Sequence, residues 1–305
     1  MPCLESRTFV DLENRDGIRI ERSTKSVLQN ARKNETMVKQ SVKKFRKNSS
    51  AGKHQTNWLW GQHSVIETLQ AGRWRVYELF VTEEVMTQHA ELLRSKQKDG
   101  MELEIVSSAK LADLSQTTDH QGIVARVSKY PYETLESLVS GIRTRFESAT
   151  ANVLLPLVVL VDRVQDAFHF ASILRSSECA GVMAVVIGEH CQAQVTTQVA
   201  RASLGVVNHL VIVQAANLVE AAAQLKATGL TLIASDLKSE GDVASGSLNG
   251  PCALMIGSDA HGLDPALAEL CDCRVRIPVH GKSNTLPAAV AAGVVLYEIR
   301  RQQGC

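Results

Sequence analysis

The chain has 305 residues, a length that suits about two domains. It is 45% hydrophobic and 21% charged, the composition of a globular protein, and no apolar run reaches the roughly 18 residues of a membrane span. The net charge of +1 hides an asymmetry: up to Thr56 there are 13 Lys/Arg against 6 Asp/Glu, net +7, and beyond it 20 against 26, net −6.

Residues 1–56 are polar, basic and weakly patterned. The stretch "ARKNETMVKQSVKKFRKNSSAGK" holds most of the excess and suits either a polyanion or plain solvation as a flexible extension. There is no apolar core of a secretory signal, and Glu5, Asp11, Glu13 and Asp16 break the acid-free pattern of an organellar transit peptide. A cytoplasmic protein is expected, with a mitochondrion or plastid as the alternative.

Residues 57–130 read as a small α/β unit. "GQHSVIETLQAG" predicts a helix through Val65, Ile66 and Leu69 with a glycine stop. "VYELFV", "ELEIV" and "HQGIVARV" predict strands, with a helix around "AELLRSKQ". Residues 131–152 form a linker that opens at Pro131 and holds an amphipathic helix through Leu135, Leu138, Ile142 and Phe146.

From Val153 to Cys305 buried strands alternate with helices. "LLPLVVLVD", "MAVVIG", "HLVIV", "LTLIAS" and "CALMIG" are apolar without alternation, which predicts a mostly parallel sheet covered on both faces. Ligands of such sheets bind beyond the carboxyl ends of the strands. Attention therefore falls on Asp162–Arg175, Gly257–Leu263 and Pro278–Leu286. No dinucleotide fingerprint or P-loop occurs. The seven cysteines are scattered, and Cys271-Asp-Cys273 is too close for a zinc pair, so no metal site is expected.

In the first segment, Arg175 follows Ile173 and Leu174, which predicts a boundary position and an anionic partner, either a substrate group or a structural carboxylate. In the second, Gly257 ends a strand where a ligand could approach the backbone. In the third, "RIP" reads as a strand end, Gly281–Asn284 as a loop and Pro287 as the first helical turn, capped by Thr285 or Leu286. The helix that follows is apolar all round, which predicts burial on every side and so a second subunit.

Three motifs in this order resemble those of the SPOUT superfamily, specifically its SpoU (TrmH/RlmB-like) RNA ribose 2′-O-methyltransferases. "VARASLGVVNHLVIVQAANL", "LMIGSDAHGLDPALAELCDCRVRIPVHG" and "TLPAAVAAGVVLYE" carry the likeness, which covers residues 57 to about 302. The resemblance implies a trefoil-knotted α/β sheet, a ribosomal-protein-like RNA-binding domain before it, a homodimer, and S-adenosyl-L-methionine as cofactor. It implies a structured RNA substrate, ribosomal before transfer RNA. Gly257, Ile277 and Leu286 fall on the cofactor-binding positions, and Arg175 on the catalytic arginine. Asn217 and Ser203 fall on recurrent structural positions.

Several positions depart from the family pattern. "DAFHFA" puts His169 where asparagine is usual, Ala167 for proline and Ala171 for glycine. Asp259 replaces glutamate, Thr285 replaces serine and Pro287 replaces asparagine. The catalytic set is then Arg175, His169, Asp259 and Thr285. A guanidinium does not deprotonate near neutral pH, whereas an imidazole can take a proton. His169 is thus a candidate base with Arg175 on a phosphate, or else a space-filling turn residue. Two functions follow: a methyltransferase, or an RNA-binding assembly factor that has lost the reaction.

Overall fold

A computed structural model describes residues 58–148, 154–236, 239, 241–282 and 285–305. The basic segment 1–56 lies outside the described residues.

The first sheet is small. Strands β1 (Trp58–Trp60), β2 (Val76–Val81), β3 (Glu102–Ile105) and β4 (Ile123–Val127) lie in the order β1-β4-β2-β3. β4 runs antiparallel to both neighbours, and β2 pairs β3 in parallel. Helix α1 (Gln62–Ala71) presses Val65 and Leu69 into the core and stops at Gly72. That glycine adopts a left-handed φ of 65° and its N–H returns to Thr68, the ending that glycine makes cheap. Helices α2 (Glu83–Gln88), α3 (Ala90–Lys98) and α4 (Ser108–Ser115) complete the unit. β1 and helices α2 and α4 were not anticipated. Three residues are too few to display a period-2 pattern, and α2 and α4 each bury two residues or fewer.

Helix α5 (Leu135–Glu147) is the predicted amphipathic one. Thr134 caps it by accepting the Ser137 N–H. It buries Leu138 and Ile142 in the core beneath the large sheet, and Phe146 stays on the outer side. The linker's helix is therefore part of that sheet's cover.

The large sheet holds β5 (Leu157–Val161), β6 (Ala184–Gly188), β7 (Val211–Ala215), β8 (Thr231–Ser235), β9 (Cys252–Ile256) and β10 (Cys273–Val275). All pairs are parallel, in the order β10-β8-β9-β5-β6-β7. Successive side chains of β5 point to opposite faces. Leu157, Val159 and Val161 enter one core, and Val158 and Leu160 the other. Both faces are dry, which is why the run does not alternate. One face is covered by α6 (Ala167–Cys179), α7 (Thr197–Ala202) and α10 (Ala288–Gln302). The other carries α5, α8 (Leu218–Lys226) and α9 (Pro265–Leu270). Asn217 caps α8, accepting from Val219 and Glu220, and Ser203 is fully buried after α7. β10 ends at Val275, so "RIP" begins the loop rather than closing the strand.

The small unit docks onto the large one around a 3-10 turn at Val206–Asn208. Tyr130 Oη donates to Val207 O at 2.6 Å, Asn208 Nδ2 to Thr68 Oγ1 at 3.0 Å, and His209 pairs with Glu67 at 2.7 Å. Arg73 donates to Leu210 O. Buried residues of the two units form one continuous cluster.

Candidate active site

The sheet order reverses between β5 and β9, and the crevice beyond the carboxyl ends of such strands is where ligands bind. β5 leads to Asp162 and β9 to the loop Gly257–Leu263. Ser258 and Gly262 exchange backbone hydrogen bonds at 3.2 and 2.8 Å, closing that loop tightly. A Cβ on Gly257 would collide with the backbone of Gly262 and Leu263. The glycine is therefore required by the loop's own closure, before any ligand arrives.

A cavity of about 500 Å³ opens there, within the range of clefts that hold a small organic ligand. Gly257, Ile277 and Leu286, the predicted cofactor positions, all line it, as do Asp259 and Thr285. Ile256, Leu263 and Ala291 supply further apolar wall, and Ser235, Asp236 and Arg276 polar edge. Residues of three separate loops thus line one slot, a fit for an organic ligand with a polar rim. Among the described residues no group of three or more His, Cys, Asp or Glu is placed to hold a metal ion.

Helix α6 carries the first segment. Asp166 caps it, its Oδ1 accepting from Phe168 N at 2.9 Å and His169 N at 2.8 Å. An aspartate just before an apolar-periodic stretch is the sequence signal of such a cap. The cap fixes His169 in the first turn, where Nδ1 lies 2.8 Å from Asp259 Oδ2. His169 does not line the cavity itself; it stands beside it through Asp259.

The other carboxylate oxygen, Asp259 Oδ1, accepts from Ala288 N at 2.5 Å. This revises the expectation for Pro287. Proline is the N-cap, with φ −54° and ψ 140°, and α10 starts one residue later. Neither Thr285 nor Leu286 is the cap. Proline has no side-chain acceptor, so the first N–H of α10 would be an orphan. Asp259 satisfies it from another loop.

Arg175 departs from its expectation. Ile173 and Leu174 are fully buried, but Arg175 is exposed and makes no ion pair among the described residues. It shares an outward stripe of α6 with Phe168 and Ser172, at helical spacing. A solvated guanidinium without a carboxylate is free to meet an anion. Nearby, Arg163 takes a left-handed φ of 58°, held by Asp162 Oδ2 at 3.1 Å and Gly262 O at 3.4 Å.

α6 and α10 pack along each other, joined at their far ends by Arg300. Its buried guanidinium donates to Ala180 O and Gly181 O, each at 2.7 Å, and to Leu155 O at 3.0 Å. A cation on the carbonyls that end a helix is favourable. Within one chain α10 is not buried all round. Ala292, Val295 and Leu296 face inward, while Val290, Val294 and Tyr297 leave an apolar stripe exposed.

Residues 156–297 match the SpoU rRNA Methylase family, and residues 58–133 match the RNA 2'-O ribose methyltransferase substrate binding family. The chain is 31% identical over 250 residues to YacO of Bacillus subtilis, named for the TrmH family of tRNA/rRNA methyltransferases, covering 82% of this chain and 97% of that one. The chain belongs to the SpoU (TrmH) family of RNA methyltransferases. A Staphylococcus haemolyticus relative named for the same family is 26% identical over 244 residues, covering 80% and 94%. Among solved structures, the SpoU methyltransferase AviRb from Streptomyces viridochromogenes in complex with AdoMet superposes with a TM-score of 0.65 at 26% identity, covering 81% and 90%. The AdoMet-bound rRNA methyltransferase of Sinorhizobium meliloti gives 0.67 at 22% identity over 85% and 90%, a likeness of fold. The reading as a binder that has lost its reaction gains no support from these matches.

Proposed function

We propose that this SpoU-family protein transfers a methyl group from S-adenosylmethionine to a ribose 2′-hydroxyl of structured RNA, ribosomal RNA before transfer RNA. One observation carries the proposal. Gly257, Ile277, Leu286, Asp259 and Thr285, drawn from two loops, line one cavity, and His169 is hydrogen-bonded to its rim. AviRb, 26% identical, is described with AdoMet bound, which supports the choice of cofactor. That cofactor supplies an activated methyl group on a sulfonium.

The residues of this chain do the rest. Backbone groups at Gly257, Ile277 and Leu286 hold the donor, and Thr285 borders it. Arg175, exposed and without a carboxylate partner among the described residues, grips the phosphate beside the target ribose and sets its angle of approach. His169 takes the hydroxyl proton. The unit over 57–130 chooses the RNA, in keeping with its match to a substrate-binding family. The exposed stripe of α10 pairs with a second copy, and the segment after β10 is threaded as a trefoil knot. No described helix is long and apolar enough to cross a membrane; a cytoplasmic site of action suits an RNA substrate.

The test is calorimetric titration of the protein with S-adenosylmethionine, followed by transfer of labelled methyl to ribosomal and transfer RNA. Binding with transfer to a 2′-oxygen is expected. Arg175→Ala should lower transfer at least tenfold and leave donor affinity unchanged. No binding at millimolar donor sinks the proposal.

A further inference from the structure

Three of the positions at which this chain departs from its family's pattern, 169, 259 and 287, meet at one point. They lie far apart in sequence: His169 and Asp259 are separated by 90 residues. Yet one carboxylate joins them. Asp259 Oδ2 holds His169 Nδ1 at 2.8 Å, and Asp259 Oδ1 holds the amide of Ala288, just after Pro287, at 2.5 Å. We infer that Asp259 is a positioning residue that sets the tautomer of His169, so that Nε2 is the atom that accepts the ribose proton.

The inference rests on the methyltransferase reading and deepens it. A carboxylate only accepts hydrogen bonds, and Ala288 N–H already donates to one of its oxygens. Nδ1 must therefore carry the hydrogen it shares with Oδ2. In the neutral ring, Nε2 is then left with its lone pair. The backbone of the same residue is pinned by Asp166, so neither the ring's place nor its orientation is left loose. His169 and Asp259 side chains are 44% and 42% exposed, open enough for a substrate hydroxyl to reach the ring.

In the step itself the 2′-oxygen forms its bond to the methyl carbon as the carbon–sulfur bond breaks. The bonding pair stays on sulfur, and the hydroxyl proton passes to Nε2 and then to solvent. Asp259 takes no proton; it steadies the imidazolium that forms, as an aspartate does behind a catalytic histidine. The other titratable or charged groups lie on several elements packed against His169. Asp166 is the cap of its own helix, which also carries Arg175, Glu178 and Cys179; His261 and Asp264 lie on and beside the loop of Asp259, Arg163 after β5, Arg201 on α7, His209 after the 3-10 turn, and Tyr297, Glu298, Arg300 and Arg301 at the far end of α10. Residues 288–296 of α10 contribute none.

Asp259→Asn makes a sharp test. The Ala288 N–H demands an acceptor, so the new amide must turn its oxygen there and its NH2 toward His169. An NH2 donates, which forces the hydrogen onto Nε2 and removes the acceptor from the substrate side. Nitrogen-15 spectra of histidine-labelled protein, with His169 assigned by His169→Gln, should show Nδ1–H in the wild type and in Asp259→Glu, and Nε2–H in Asp259→Asn. Single-turnover methylation by the wild type sets the reference rate. Asp259→Asn should fall by about 10²–10⁴-fold, and Asp259→Glu should keep most of the rate. Nδ1–H persisting in Asp259→Asn, or an unchanged rate and pH profile in that variant, overturns the assignment while leaving the methyltransferase reading intact. A wild type that neither binds the donor nor methylates RNA overturns that reading, and the proton-accepting role goes with it.

Discussion

At the scale of single residues, the site depends on groups that serve two masters. Gly257 is the clearest. Its strand must turn at once into a loop whose backbone returns against it, and any side chain would occupy that space. Gly257→Ala should lower the unfolding free energy by about 1–3 kcal/mol, the usual scale of forced overpacking, and abolish donor binding while the protein still folds. Urea titration and calorimetry on the same sample check both; full donor affinity in the variant would contradict the account. The sequence made Gly257, Ile277 and Leu286 visible as one group only through the family resemblance. Local pattern alone marks a tight turn at Gly257, a strand end at Ile277 and a helix cap at Leu286. The Asp259 bridge was not legible at all, because hydrogen bonds between positions 90 and 29 residues apart leave no local pattern.

At the scale of elements, strands and helices with a strong period were legible and short ones were not. The run "LVVLV" reads as buried because each of its side chains enters one of two cores. The start of α10 was misplaced by a residue, since proline suits the first helical turn and the cap position alike, and only a carboxylate from another loop decides between them. α10 also retains an exposed stripe of Val290, Val294 and Tyr297, at 48%, 41% and 58% exposure. One apolar residue in the open is ordinary, but a row at helical spacing asks for a partner. Val294→Asp should therefore convert a dimer into a monomer in sedimentation equilibrium, with the far-ultraviolet spectrum unchanged. A wild type that sediments as a monomer rules out the pairing.

At the scale of the whole molecule, the boundary between the RNA-binding unit and the methyltransferase sheet is closed by buried contacts. Asn208, 5% exposed, gives one amide to both Thr68 and Gly205, and Leu59, Leu79, Val199 and Val207 belong to one cluster. All three tryptophans, Trp58, Trp60 and Trp74, lie in the small unit. Fluorescence therefore reports that unit, while circular dichroism reports every helix. The two unfolding curves in urea should coincide, as they do for a single cooperative body. Asn208→Ala, which removes the side-chain bonds to Thr68 Oγ1 and Gly205 O but leaves each of those groups another partner, should move both curves together by about 0.5–1.5 kcal/mol. A separate early fluorescence transition in the wild type would refute the shared core. The hydrophobic pattern changes near Val153, between the strands of the two sheets, but the docking leaves no such trace, since its members come from Glu67, Tyr130 and His209, in three different segments.

The docking around Val206–Asn208 also sets a length. On the proposed function, a surface that recognises an RNA fold and a pocket that modifies one ribose would be held by the same frame, with Tyr130, Asn208 and His209 as its rivets. Such a frame acts as a caliper. It would select a nucleotide by its distance from a recognised feature, so lengthening the intervening helix of the RNA by one base pair should carry the target past the jaws even though every base that is read remains in place.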